Sequence, residues 1–392
     1  MPLSNYRTLN VLCLVDSNRL PVRKVDIGYT AKQPPFIELN RSASLFSIQH
    51  TLMTHTQGKE TLVTKETQAT GLKGWIGYRP EIKVMDCTIR DGGLMNNHHF
   101  DHEFVKAVYQ SNIEAGVDYM EIGYKASKKL ASRNEHGAWK FCDEDDMRRI
   151  IGDKKSSVKI SVMADAERTD YHTDILPKGK TVVDMVRVAT YIHQIPTALD
   201  MIKDAHDKGH ETTINIMAVS TVPDLELDNA LEVLCNSDVG TLYIVDSFGT
   251  LYGEQIQALM HKFLKFARPA KKTIGIHTHN NMQLAFANTI EAIILGANML
   301  DASVAGLGRG AGNCPMELLL SFLHNPKFNL RPVLHCIQHH VEPMREKLGW
   351  GFAIPYLVTG YLNQHPRTAM KFMEETDGHD ILKFYDTAIE EE

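Results

Sequence analysis

The sequence has no paired cysteines, no membrane-length apolar run, no excess of positive charge and no glycine-rich nucleotide loop. Six cysteines (Cys13, Cys87, Cys142, Cys235, Cys314 and Cys336) are scattered over 392 residues without a CxxC. A zinc knuckle or a disulfide framework is therefore not the organising device, and reduced thiols in a cytoplasmic protein are the expectation. No apolar stretch approaches the roughly 20 residues that span a bilayer. Leu9–Val15 is too short for a secretory core and ends on Asp16, so no membrane partner is expected. A net charge of -6 leaves no general field for nucleic acid. The absence of GxGxxG removes the usual sign of a doubly wound dinucleotide-binding sheet, the rival to the fold argued next.

What is present divides the chain. Residues 1–80 carry a formal +5 and the remainder -11. Residues 51–70 are rich in Thr, Gln and Lys and offer no amphipathic helix. Residues 1–79 therefore read as an irregular N-terminal extension. From residue 82, short apolar runs alternate with helix-period segments, the pattern of βα units on a parallel sheet. Eight strands are predicted, at 82–88, 119–123, 158–164, 185–189, 212–218, 241–247, 273–279 and 299–305. Ile256, Leu259, Met260, Phe263 and Leu264 mark one face of a helix between the sixth and seventh strands. Asp101 reads as an N-cap, and Gly209 and Gly296 as C-terminal stops. Eight such units predict an α/β chain folded as a (β/α)8 barrel over 80–325, followed by a short helical tail over 326–392.

Barrel enzymes carry their chemistry at the C-terminal ends of the strands. The first strand runs into Arg90-Asp91-Gly92-Gly93, read as a tight turn with two opposite charges. The seventh ends in His277-Thr278-His279; residues two apart on a strand face one side, so both imidazoles would enter the mouth. Two imidazoles and a carboxylate form a facial set with positions left open. Glu121, Arg187 and Asp246 are charges on interior-facing strands; they form either an internal network or groups that orient ligands. Four glycines in Gly306–Gly312, before Asn313, let backbone approach a ligand. Each feature alone has a plain structural explanation, as a salt bridge or a flexible turn.

The ordered set TIRDGG, MEIGY, VRVAT, DSFGTL, GIHTHNN and DASVAGLGRGAGN resembles the metal-dependent pyruvate-aldolase and Claisen-condensation superfamily. That group includes 4-hydroxy-2-oxovalerate aldolase, 3-hydroxy-3-methylglutaryl-CoA lyase, and isopropylmalate and homocitrate synthases. The texture is most similar to 4-hydroxy-2-oxovalerate aldolase. The resemblance implies a divalent cation (Mn, Mg or Zn) on Asp91, His277 and His279, with Asn313 as a further ligand. It implies that Arg90 binds the 2-oxo oxygen and stabilises an enolate, and that Glu121 supports Arg90 or the base. Arg187 and Gly92 are the candidate substrate contacts. The partners it implies are a 2-oxo acid, an aldehyde, further copies of the chain and a dehydrogenase. The chain departs from the aldolase pattern twice. The family's catalytic His, three residues after the metal Asp, is here Leu94, with His98 and His99 at another spacing. The family's tail tyrosine has only Tyr356 and Tyr361 as counterparts. His98, His99, Tyr124 and Tyr356 are thus the candidates for proton transfer. The alternatives to an aldolase are a Claisen-type acyltransferase using an acyl-CoA, or a non-catalytic barrel.

Overall fold

The computed structural model describes residues 79–152, 156–376 and 380–390. The extension read over 1–79 lies outside them except for its last residue. Eight strands close into a parallel barrel in sequence order: β1 (Lys83–Asp86), β2 (Tyr119–Tyr124), β3 (Lys159–Asp165), β4 (Met185–Thr190), β5 (Glu211–Ile216), β6 (Thr241–Asp246), β7 (Thr273–Thr278) and β8 (Met299–Ala302). All eight expected strands are present, and most end a residue or more before the sequence suggested. Where β1 was read as running through Thr88, residues Thr88–Gly92 instead form one helical turn. The reason is local: Asp86 accepts from the Thr88 amide at 3.1 Å and from its hydroxyl, which bends the chain out of the strand at Cys87.

The outer layer follows from periodicity and caps. In His102–Ala115 the Asp101 side chain accepts from the Phe104 amide at 2.7 Å, and Gly116 ends the helix with φ of 76°. Gly253–Ala267 buries Ile256, Met260, Phe263 and Leu264 against the barrel. Every residue of β2, β4 and β6 is buried, because one face meets helices and the other meets the barrel interior. That interior is filled by Met85, Cys87, Tyr119, Met185, Tyr243, Val245 and Met299. After Met316–Leu323 the tail is a set of short helices, and Tyr356, Val358, Ala369, Phe384 and Ala388 pack together with Ala311 of the glycine-rich loop.

One irregularity shapes the mouth. β2 pairs Glu121 with Ser161 but Tyr124 with Met163, so β2 carries one extra residue at this point. Simple alternation from Glu121 would turn Tyr124 outward. The extra residue turns it inward instead, into a cluster with Met163 and Ala189.

Candidate active site

Below the mouth lies a charged layer. The Arg187 side chain, 0% exposed, donates from Nη1 to Glu121 Oε2 at 3.0 Å and from Nη2 to Asp301 Oδ2 at 2.5 Å. Its guanidinium stacks 4.3 Å from the Tyr243 ring centroid. Arg90 donates from Nε to the same Glu121 oxygen at 2.6 Å. Burial alone would raise the Asp301 carboxyl, but Arg187 and His277 outweigh it and hold it at about 2. Asp301 was not singled out from the sequence; its place on β8, directly before the glycine loop, was the available signal.

Above this layer the expected metal set converges. Asp91 follows β1 and lies beside β7 only because the barrel closes. Its Oδ2 is 3.3 Å from His277 Nε2 and 3.3 Å from His279 Nε2. Second hydrogen bonds fix both imidazoles. His277 Nδ1 lies 2.9 Å from Asp301 Oδ2, and His279 Nδ1 lies 3.0 Å from the Asp246 carbonyl oxygen. Each Nδ1 therefore donates, and in the neutral imidazole each Nε2 then directs its lone pair at Asp91. Two lone pairs facing a carboxylate is a repulsive arrangement that a cation would reverse. Consistently, both Asp91 oxygens, both Nε2 atoms and both amide atoms of Asn313 are buried without a hydrogen-bond partner. Asn313 pairs with His279 across a short antiparallel bridge. These residues fit a divalent cation. A second cluster of Cys87, His277 and Asp301 is also close-set, but Asp301 already accepts from Arg187 and His277 there.

Arg90 borders this set, with Nη1 3.6 Å from Asp91 Oδ1. Burial raises the Asp91 carboxyl, yet the Arg90 guanidinium and the facing His279 outweigh that and hold it well below the usual range. His98 is also brought here. It is buried, with Nδ1 unpartnered, and its ring meets Tyr124 edge-on at 5.2 Å. Asn97 and His98 both adopt left-handed backbone, φ 50° and 64°, and the His98 amide donates to the Gly93 carbonyl at 2.7 Å. That strained turn presses the imidazole onto Gly93, where a Cβ would collide with it. Burial, reinforced by Lys140, holds His98 neutral, well below its ordinary value.

Other expected residues are placed elsewhere. Arg187 has its donors turned into the layer below, with no surface at the mouth. Gly92 lies under Leu307, which a Cβ would meet at 2.8 Å. Tyr356 packs in the apolar cluster of the tail and against Gly310. His99 is exposed, within 3.2 Å of the Glu135 carbonyl. The Asp246 carboxylate caps its own turn, accepting from the Thr250 amide at 3.0 Å. The sequence reading passed over Arg309 and His365. Arg309 Nη2 donates to the Ser247 carbonyl at 2.6 Å, and Nη1 lies 3.2 Å from His365 Nε2, which ties the tail to the glycine loop.

With this geometry in place, known proteins are informative. The HMGL-like family model matches residues 81–341. The chain belongs to the HMGL-like family. It is 28% identical over 245 residues to oxaloacetate decarboxylase of Mycobacterium tuberculosis, covering 61% of this chain and 69% of that one. It is 27% identical over 265 residues to 4-hydroxy-2-oxovalerate aldolase of Thermus thermophilus, covering 67% and 75%. A solved structure of the N-terminal domain of a candidate aldolase from Bacteroides vulgatus superposes with a TM-score of 0.63 at 26% identity, over 77% of this chain and all of that one. This HMGL-like chain is thus an enzyme of the lyase and aldolase group, which sets aside the non-catalytic barrel. Among the described residues no helix is long and apolar enough to cross a membrane.

Proposed function

We propose that this HMGL-like enzyme cleaves, or in reverse forms, the C3–C4 bond of a 4-hydroxy-2-oxo acid through a pyruvate enolate. One observation carries the reading: the unpartnered donor atoms of Asp91, His277, His279 and Asn313 converge beside the Arg90 guanidinium. Those four residues would hold a divalent cation (Mn, Mg or Zn), which supplies Lewis-acid polarisation of the 2-oxo group when bound.

The chain's own residues supply the rest. Glu121 takes the Nε edge of Arg90, which fixes the fork and leaves the remaining N–H groups for the oxygen that becomes the enolate. That charge develops only in the transition state, so the contact acts on kcat. His98, neutral and with Nδ1 unpartnered, accepts the proton of the C4 hydroxyl. The C3–C4 electron pair then passes into the enolate and the aldehyde leaves. The same proton returns to C3 and gives pyruvate.

Proton exchange tests the reading without knowledge of the aldehyde. In deuterated water the wild type should exchange the C3 protons of pyruvate in a metal-dependent way. Arg90→Lys should slow that exchange by on the order of 10²–10³, the scale for losing one oxyanion donor, with metal content unchanged. No wild-type exchange with any divalent metal would remove pyruvate as the nucleophile. A second reading draws on the relative named oxaloacetate decarboxylase: loss of CO2 from C3 of a 2-oxo diacid leaves the same enolate. That route needs no proton acceptor, so it should tolerate His98→Gln while aldol cleavage does not.

A further inference from the structure

On the far side of Tyr124 from the strand, a small cleft of about 50 Å³ lies between the loops that follow β2 and β3. Its walls include Tyr124, Lys140, Asp165, Arg168 and Thr169. Tyr124 joins the cleft to the reaction centre: Arg90 Cζ lies 6.0 Å from its ring centroid and Lys140 Nζ 4.3 Å. The guanidinium and the ammonium are therefore at most about 10 Å apart.

The cleft carries an excess of positive charge over its one carboxylate. Lys140 is half-buried, and Arg168 and Arg367 are near enough to repel its charged form. The facing carboxylate is Asp165, which also answers to Arg90 and Arg168. Among the described residues neither Lys140 nor Arg168 makes a direct ion pair. Burial lowers the Lys140 ammonium despite Asp165, so the fold holds this charge at a cost. The Thr169 hydroxyl, on a residue only 8% exposed, has no hydrogen-bond partner in the same wall. An orphaned hydroxyl beside two cations that share a single carboxylate calls for an acceptor-rich anion.

We infer that the Lys140–Arg168–Thr169 cleft binds an anionic group on the far end of the aldehyde portion, so that the substrate is a 4-hydroxy-2-oxo acid with a second oxyanion, carboxylate or phosphate. The inference rests on the aldolase reading and specifies its substrate class. At roughly 1.5 Å per carbon–carbon bond, a four-carbon aldehyde acid bridges the distance from a carbonyl near Arg90 to a carboxylate at Lys140. Neutral aldehydes would leave the excess positive charge unanswered and the hydroxyl unpaired, which gives the site a basis for discrimination.

The test pairs each acceptor with pyruvate in the metal-loaded full chain. Succinic semialdehyde carries the carboxylate, glyceraldehyde 3-phosphate the phosphate, and butanal neither. At least one charged acceptor should exceed butanal in kcat/KM by tenfold or more, chiefly through KM, and the better one names the anion. Arg168→Gln and Lys140→Gln should each cut that ratio about tenfold; as a ratio within one enzyme, it is insensitive to partial misfolding. Calorimetric binding of succinate against butyramide, which needs neither metal nor turnover, reads the cleft independently of the enolate chemistry. Equal use of charged and neutral aldehydes, a ratio unchanged in both variants, or no preference for succinate overturns the inference. Absent pyruvate exchange with preferred succinate binding would instead sink the aldolase reading and leave the anion site standing.

Discussion

Two charged layers lie one above the other in this barrel, and they are satisfied differently. In the lower layer Arg187, Glu121 and Asp301 each have a direct partner of opposite charge. Single atoms of that layer (Arg187 Nε, Glu121 Oε1 and Asp301 Oδ1) are left over, but in the upper layer the whole Asp91 carboxylate, the two Nε2 atoms and the whole Asn313 side-chain amide have no hydrogen-bond partner. Both layers are buried, so exposure does not separate them. Buried polar atoms in folded proteins are normally paired. A layer that is paired supports its neighbours, and one that is collectively unpaired awaits a ligand. Two residues link them: His277, whose Nδ1 belongs to the lower layer and whose Nε2 belongs to the upper, and Arg90, whose Nε meets Glu121 and whose Nη1 lies 3.6 Å from Asp91.

The sharpest way to break this contrast is to change the upper layer alone. His279→Gln keeps volume but removes the imidazole lone pair. The variant should lose its bound divalent ion and all pyruvate exchange while its near-UV circular dichroism stays that of the wild type. Retention of a stoichiometric ion by elemental analysis would dissolve the distinction.

Proton transfer gives the next effect. His98→Gln should lower kcat for aldol cleavage by on the order of 10²–10⁴, the usual span for a lost general base, with metal affinity retained. Because burial holds the His98 imidazole well below its ordinary value of 6.5, the wild-type rate should not fall as pH drops from 8 towards about 6.5 on its account. A profile that declines with a midpoint near 6.5 would assign the base to another group.

The lower layer should answer in stability. Arg187→Met removes the one cation shared by Glu121 and Asp301 and leaves these buried carboxylates only Arg90 and His277, respectively, as partners. A cost of about 3–5 kcal/mol is expected in denaturant unfolding of metal-free protein. A variant as stable as the wild type would show that the lower layer is not the support it is taken for.

The smallest effect concerns Asp86, outside both layers, where Asn112 of the outer helix donates to it at 2.8 Å. Burial raises its carboxyl to about 6, against the pull of Thr88 and Asn112. The unfolded chain ionises near 3.9. Folded Asp86 therefore keeps its proton over a window in which the unfolded chain has lost it. Its contribution to stability is full below about pH 4 and declines as pH rises through about 6. Asp86→Asn should flatten that part of the stability–pH curve, measured by thermal unfolding at several pH values. An unchanged slope would place the pH dependence elsewhere.

Much of this was legible without a structure. The strand count, the (β/α)8 closure and the pairing of His277 with His279 follow from patterns that are local in sequence, while Asp91 joined them through the family resemblance. Apolar runs, a two-residue spacing and strand-end position carry them. What escaped depends on contacts made at a distance. Arg187, on an interior-facing strand, reads either as part of an internal network or as a group that orients ligands; only side-chain packing turns it to Glu121 and Asp301 and leaves Arg90 at Asp91.

The sequence by itself determined the alternation that makes the barrel and the residue types that can ligate a cation. Tertiary structure alone decided which atoms go unpartnered. It seated His98 on Gly93 through a left-handed turn, and drew Tyr356 into the tail's apolar cluster. It also used one extra residue in β2 to turn Tyr124 between Arg90 and Lys140. The physical reason is one of range. Side-chain period and residue chemistry act over a few residues, whereas hydrogen-bond satisfaction is settled between groups such as Arg187 and Asp301, 114 positions apart, once the chain has closed on itself.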